Sequence, residues 1–383
     1  MASTSAPEAP AAHRIGLVYR SGRPFEHAWS QIPAGLARGL RELGFETFAV
    51  DAEPGRTTGR LAKAWALVSS GNRHGGLLAP EIRALRRATA RRRASGLPPF
   101  GAVVQMGSDF GIPFPRNLVT YEDTTVLQRV DVDAIDGALG MGAIHKWVAS
   151  QRKCYDTAVA CCAMSSWVAE SLVGDYGVDP EKVHVVWAGR NCEPRPVDRD
   201  WSRPRFLFMG LDWSRKNGDL VVRAFSRVRD RFPHARLDVA GEHPRISADG
   251  VIVHGPLDFS APDQRANAER LLEAATCFVM PSRFEPFGIV YAEAATAGIP
   301  SIGTNVGGAR DVIGDAGLLV TPGDEDMLVD SMIAMCDPDR ASALGAAALE
   351  NAGLFTWKAC AERVVHALGR PVDRRAAETV SPG

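Results

Sequence analysis

Two carboxylates eight positions apart, Glu285 and Glu293, flank a glycine in Ser282-Arg283-Phe284-Glu285-Pro286-Phe287-Gly288-Ile289-Val290-Tyr291-Ala292-Glu293-Ala294. The apolar run Cys277 to Met280 precedes them and stops at Pro281, which reads as a short buried strand. Good helix formers fill Ala292 to Ala297, and Gly298-Ile299-Pro300 closes that element. The order is strand, acidic loop, glycine, helix. A helix start presents N–H groups without helical acceptors and a partial positive charge, which suits a phosphate. Carboxylates beside it suit the hydroxyls of a sugar, so the stretch predicts a nucleotide-sugar pocket.

A second constellation, Gly210-Leu211-Asp212-Trp213-Ser214-Arg215-Lys216-Asn217-Gly218, joins the strand Arg205 to Met209 to the helix Asp219 to Arg231. Adjacent Arg215 and Lys216 at a strand's carboxyl end could clamp a diphosphate, the arginine as a fork and the lysine as a point charge. The same residues could form a solvated turn. The acidic helix-start pocket after a later strand of the same sheet favours the ligand reading. A third cluster, Tyr121-Glu122-Asp123-Thr124-Thr125, follows the predicted strand Asn117 to Thr120. Acids and hydroxyls at a strand's exit could do chemistry or grip a polyhydroxy acceptor, and Asp123 or Thr124 could equally cap the next helix.

Other signals exclude more than they assign. Gly137-Ala138-Leu139-Gly140-Met141-Gly142 follows no strand and is not read as a dinucleotide fingerprint. No phosphate-binding P-loop, GxSxG elbow or HExxH pair is present. An acid-plus-nucleophile hydrolase reading is weakened because Glu293 sits within a helix behind the first carboxylate.

The elements that must position these residues read as two α/β halves. The run Arg14 to Tyr19, the amphipathic stretch His27 to Leu43 and the run Glu46 to Val50 give strand–helix–strand, hence parallel pairing. The loop after the first strand then lies at the carboxyl edge of the sheet, where ligands bind. A polar, proline-containing segment separates the halves, and the scheme restarts at Arg205. The expected division is residues 13–190, a linker at 191–204, residues 205–355, and a last helix at 356–370. A length of 383 residues fits two domains.

Hydrophobic residues at 45% and charged residues at 23% are ordinary for a soluble globular chain, and a net charge of −1 gives no global field for nucleic acid. No apolar run approaches membrane-spanning length. Met1 to Ala12 has no basic start before an apolar block and reads as a disordered tail. Seven scattered cysteines lack metal or redox spacing, and Cys161-Cys162 read as buried thiols. A cytoplasmic protein without a metal or other cofactor is expected. The helix Glu81 to Arg93 carries six arginines and admits two readings, weak docking on an anionic membrane or a solvated outer helix. Its thin apolar face favours the second.

The strand–Gly–Arg-Lys-x-Gly–helix order, then Pro281-Ser282 with Glu285, Phe287, Gly288, Glu293 and Ala294, then Thr304-Asn305-Val306-Gly307-Gly308, resembles family 4 of the retaining glycosyltransferases of GT-B fold. The Tyr176-Gly177-Val178 to Val183 run resembles the end of that family's N-terminal domain, and the likeness is good over residues 157–330. The resemblance implies two doubly wound Rossmann-like domains facing across a cleft, the first binding acceptor and the second donor. It implies that Glu293 holds the ribose hydroxyls and Glu285 the transferred sugar. Backbone N–H groups of Phe287, Gly288 and Ile289 would meet sugar and phosphates, and Arg215 and Lys216 the diphosphate. His254 and Gly255 fall where the nucleobase is gripped. The family's arginine after Gly210 is replaced by Leu211, and Arg215 stands in for that charge. The family's histidine-aspartate pair is replaced by Glu122-Asp123. The implied function is retaining transfer from a nucleoside-diphosphate sugar to a hydroxyl acceptor without a required metal. The alternatives are a nucleotide-sugar binder without transfer activity and a relative that couples a cyclitol.

Overall fold

The computed structural model describes residues 11–55, 58, 80–108, 110–112, 117–133, 141–193, 195, 197–257 and 261–369. Most of the N-terminal tail and residues 137–140 of the glycine-rich run lie outside the described residues. The chain divides into two compact units, Met1–Ala188 with Trp357–Gly383, and Gly189–Thr356.

The first unit is built on β1 (Arg14–Tyr19), α1 (Ile32–Glu42), β2 (Glu46–Asp51), α2 (Pro80–Ala94), β3 (Ala102–Met106), β4 (Leu118–Glu122), α3 (Val126–Asp133), α4 (Met141–Thr157), β5 (Ala160–Ala163), α5 (Ser166–Gly174) and β6 (Val183–Val185). Its sheet runs β2-β1-β3-β4-β5-β6 with every pair parallel. β1, β3, β4 and β5 are buried along their whole length, as expected of strands covered on both faces.

The last helix, Trp357–Ala367, belongs to this unit and packs on α1. Gly35 and Gly39 make that approach possible: a Cβ at either would come within 2.0 Å of Trp357, at the indole for Gly35 and at the backbone carbonyl oxygen for Gly39.

The arginines of α2 do not form one free patch. Arg86 is buried and pairs with Glu53 at 3.2 Å. Arg83 is also buried, Arg87 donates to the Gly111 carbonyl, and Arg93 donates to the carbonyls of Asp51 and Glu53. Arg91 and Arg92 are exposed. The reading of a solvated outer helix does not describe it, because four of its arginines tie it to the unit beneath.

β4 continues to Glu122, two residues past its expected end, and the helix that follows is capped by neither Asp123 nor Thr124. Thr125 Oγ1 accepts from the Gln128 N–H at 3.2 Å while Gln128 Oε1 accepts from the Thr125 N–H at 3.1 Å, a reciprocal capping box. Gln151 Oε1 also accepts from the Val126 N–H at 3.0 Å, and its amide donates to Ser108 Oγ at 2.7 Å. These buried bonds fix the chain direction just after Glu122-Asp123.

The second unit comprises β7 (Arg205–Gly210), α6 (Gly218–Arg231), β8 (Arg236–Gly241), β9 (Val251–Gly255), α7 (Pro262–Ala274), β10 (Cys277–Val279), α8 (Ile289–Thr296), β11 (Ser301–Thr304), α9 (Ala309–Ile313), β12 (Gly317–Val320), α10 (Glu325–Ala334) and α11 (Pro338–Asn351). Its parallel sheet runs β12-β11-β10-β7-β8-β9, so the strand order reverses between β7 and β10. A crevice outside the carboxyl ends of strands opens at such a switch point. The loops leaving β7 and β10 carry Arg215-Lys216 and Glu285.

Replacing Gly39 by Ala forces a methyl group against a backbone oxygen. We expect about 1–3 kcal/mol of lost stability in urea unfolding, whereas Gly142→Ala, with open space around it, stays within about 0.5 kcal/mol.

Candidate functional site

The two switch-point loops meet through charge. Lys216 Nζ donates a short bond to Glu285 Oε2, Arg215 Nη1 lies 3.5 Å from the same oxygen, and Ser282 Oγ donates to it at 3.2 Å. Glu285 is 7% exposed and Lys216 8%, so this is an interior ion pair with a partly exposed arginine beside it. Burial lowers the Lys216 pKa, the Glu285 charge opposes that shift, and Arg215 adds to it. Arg215 also donates to the Phe284 carbonyl at 3.1 Å and lies over the Phe284 ring.

Backbone geometry holds each member in place. Asn217 takes the left-handed conformation before α6 and donates its amide to the Pro281 carbonyl at 2.7 Å, which ties the β7 loop to the β10 loop. The Lys216 stem lies over Gly210, where a Cβ would meet its Cγ at 3.1 Å. Glu285 donates its N–H to Val306 O at 3.0 Å and accepts from the Gly308 N–H at 2.8 Å. Between those residues Gly307 has φ +102°, and a Cβ there would sit 2.1 Å from the Glu285 carbonyl oxygen. The Val306-Gly307-Gly308 segment is therefore the clamp on the Glu285 backbone.

Gly288 stands before α8 with φ +90°, and a Cβ on it would strike the Tyr291 ring at 2.4 Å. Only glycine meets both demands. Ile289 then begins the helix, and Phe287 turns inward against Phe355 with ring centroids 5.9 Å apart. Glu293 is partly buried one turn further along α8. Burial pushes its carboxyl up to about 7, opposed by hydrogen bonds from the Asn191 backbone and side chain and by the charge of Arg265. Asn191 stands at the edge of the expected linker, and nothing local in the sequence tells that it reaches a carboxylate a hundred residues away.

His254, expected at the nucleobase grip, makes a contact within the sheet. Its Nε2 lies 2.7 Å from Asp238 Oδ1, and Asp238 is also bridged by Arg205, whose Nη2 donates at 3.1 Å. Arg205 opens β7, at the far end of that strand from Gly210. His254 thus joins Asp238 and Arg205 in a hydrogen-bonded array within the sheet. Leu211 is 65% exposed, and the charge at this strand end comes from Arg215 and Lys216.

In the first unit, Glu122 and Asp123 have different settings. Because β4 includes Glu122, that side chain is buried at 2% exposure; burial raises the pKa of the phenols Tyr155 and Tyr176, and the Glu122 charge adds to that rise. Asp123, one residue on, is only partly buried and accepts from the indole Nε1 of Trp29 at 3.2 Å. Burial raises the Asp123 pKa, against the charge of Arg129 and the Trp29 bond. Trp29, Ser30 and Gln31 take left-handed backbone conformations in succession, with φ of 45°, 53° and 66°. For non-glycine residues this costs about 1–2 kcal/mol each. Trp29 was not among the expected site residues.

Removing one member of the buried pair strands the other. Lys216→Met should cost about 3–5 kcal/mol in urea unfolding, and the Lys216→Met, Glu285→Gln double variant should lose less than the sum of the two single changes. The raised Glu293 pKa has a defined sign. The folded state holds that proton more tightly than the unfolded chain, so stability falls as pH rises from about 4.5 to about 7. Glu293→Gln should lose this dependence and exceed wild type at pH 8 by at most about 3 kcal/mol. Equal urea midpoints for the two proteins from pH 4.5 to 8 would contradict it.

Known proteins resemble this chain in sequence and in fold. Residues 203–337 match the family described as "Glycosyl transferases group 1". The chain is 31% identical over 228 residues to D-inositol 3-phosphate glycosyltransferase 1 of Catenulispora acidiphila, covering 51% of this chain and 54% of that protein. It is 29% identical over 262 residues to alpha-maltose-1-phosphate synthase of Mycolicibacterium smegmatis, covering 58% and 65% respectively. The chain spans about half the length of the curated relatives it matches. In fold it is similar to sucrose-phosphate synthase from Thermosynechococcus elongatus, with a TM-score of 0.65 and 17% identity over 92% of this chain and 98% of that one. The match to the group 1 glycosyl transferases falls on the second unit, over residues 203–337, in a chain with the two-sheet α/β fold of the GT-B glycosyltransferases.

Proposed function

We propose that the protein is a retaining glycosyltransferase that moves a glycosyl unit, hexosyl in kind, from a nucleoside-diphosphate sugar to a hydroxyl acceptor. The observation that carries this reading is the convergence of Arg215 and Lys216 on Glu285 at the β7/β10 switch point, with the α8 start at Gly288 on the same β10 loop. In a loose transfer the bond from the anomeric carbon to the diphosphate oxygen breaks as the acceptor oxygen approaches on the face the diphosphate leaves. Negative charge grows on the leaving diphosphate. Arg215, Lys216 and the N–H groups at the helix start are poised to meet that charge, so no divalent cation is required. The acceptor proton passes to the departing phosphate oxygen, and the nucleoside diphosphate is released.

Glu285 serves as a positioning group rather than a nucleophile. Its Oε2 is already held by Lys216 and Ser282, which fixes the carboxylate and lowers its readiness to attack carbon. Glu293, held by Asn191, suits the ribose hydroxyls. A cyclitol acceptor is a specific second reading, favoured by the likeness to the D-inositol 3-phosphate glycosyltransferase.

Among the described residues no helix is long and apolar enough to cross a membrane. A peripheral contact with an anionic surface would draw on Arg91 and Arg92 of α2, worth about 2 kcal/mol together, which gives no stable anchoring by itself. A cytoplasmic setting fits seven free thiols.

The test is nucleoside-diphosphate release from a panel of UDP-, GDP- and ADP-sugars with sugar and inositol phosphate acceptors, with and without EDTA. We expect acceptor-dependent release that EDTA leaves intact and that Glu285→Gln lowers by about 100-fold or more. Tight donor binding with no release under any acceptor would support the non-catalytic binder instead.

A further inference from the structure

We propose that Trp29 and Asp123 form a recognition pair in the first unit, the indole face taking the ring of a polyhydroxylated acceptor and the Asp123 carboxylate accepting from one of its hydroxyls. This rests on the transferase reading for the word acceptor, but the pair itself is drawn from the geometry of one unit. Trp29 comes from the loop after β1 and Asp123 directly follows β4, so both stand at the carboxyl edge of one parallel sheet, 94 residues apart in the chain. The indole N–H donates to Asp123 Oδ2 at 3.2 Å. That bond and those from the Asp123 and Thr124 backbone N–H groups leave about one of the carboxylate's four lone-pair sites for a ligand hydroxyl. Both side chains stay partly exposed, while Glu122 beside them is directed into the interior. Asp123 is therefore the carboxylate of that cluster able to meet a ligand.

The backbone gives an independent reason. Three successive non-glycine residues, Trp29, Ser30 and Gln31, are left-handed immediately before α1. A helix can start after an ordinary extended capping residue, so the start of α1 does not call for this conformation. Such strain persists where surrounding structure demands it, and it clusters at ligand sites. Here its product is the placement of the Trp29 indole, edge-to-face with Tyr121 at 6.4 Å and hydrogen-bonded to Asp123. A flat ring with an adjacent fixed carboxylate matches a pyranose or cyclitol, whose C–H face packs on an aromatic surface while its equatorial hydroxyls point outward as donors.

The experiment titrates the full chain calorimetrically with D-inositol 3-phosphate, methyl α-D-glucoside and glycerol as probes. Wild type should give a saturable change with at least one cyclic probe and none with glycerol. Trp29→Phe, which keeps a ring but loses the N–H, should weaken binding about tenfold, and Trp29→Ala or Asp123→Asn more. In turnover assays the acceptor KM should rise in the same order while the donor KM holds. Thermal unfolding of each variant separates loss of the site from loss of the fold, and Trp29→Phe supplies a conservative check. No saturable Trp29-dependent signal with any cyclic probe, or equal movement of donor and acceptor KM, would overturn the proposal. Failure of the transferase reading looks different: probe binding persists, and no nucleoside diphosphate is released.

Discussion

The buried contact between Lys216 and Glu285 is the constraint on which the second unit is arranged. A carboxylate taken out of water is costly unless it is paired and hydrogen-bonded. Here the cation comes from the loop after β7, the carboxylate from the loop after β10, and a third charge from Arg215. Those loops are neighbours only because the strand order reverses between β7 and β10. The glycines follow from the same demand. Gly210 makes room for the lysine stem, and Gly307 lets the β11 loop grip the Glu285 backbone. The arrangement leaves cationic groups beside a helix start, on a frame that does not have to move to meet a developing negative charge.

Much of this was legible in the sequence. The strand–loop–helix rhythm predicted parallel sheets, and burial on both faces explains why β1 and β7 read as unbroken apolar runs. The Arg215-Lys216 and Glu285 segments each announced polar loops at strand ends, and strand order brings them together. Less legible were features set by long-range contacts. Glu122 looked like a loop acid, but β4 runs two residues further than its apolar residues showed, which turned that side chain inward. His254 looked available, yet its partner Asp238 lies on the neighbouring strand. Asn191 and Trp29 carried no local signal. One reaches a helix about a hundred residues further along its own unit, and the other depends on a backbone conformation that residue type disfavours.

The first unit spends its buried polar groups on a different task. The capping box of Thr125 and Gln128, together with Gln151, Ser108 and Tyr176, fixes the start of α3 without using Asp123. A network of satisfied buried polar groups rigidifies what it surrounds. Asp123 is thereby carried on a stiff base with its carboxylate directed to Trp29. Four arginines of α2 add to the same stiffness by bonding inward, which is why a segment so rich in charge behaves as part of the frame.

The central claim is that the Lys216–Glu285 site receives a diphosphate. Calorimetric titration of the full chain with UDP, GDP and ADP beside the parent nucleosides, repeated in Lys216→Ala, tests it most directly. At least one nucleoside diphosphate should bind more than tenfold tighter than its nucleoside, and Lys216→Ala should remove most of that margin while the nucleoside affinity holds. Equal affinity for diphosphate and nucleoside in the wild type, or a margin untouched by Lys216→Ala, would contradict it.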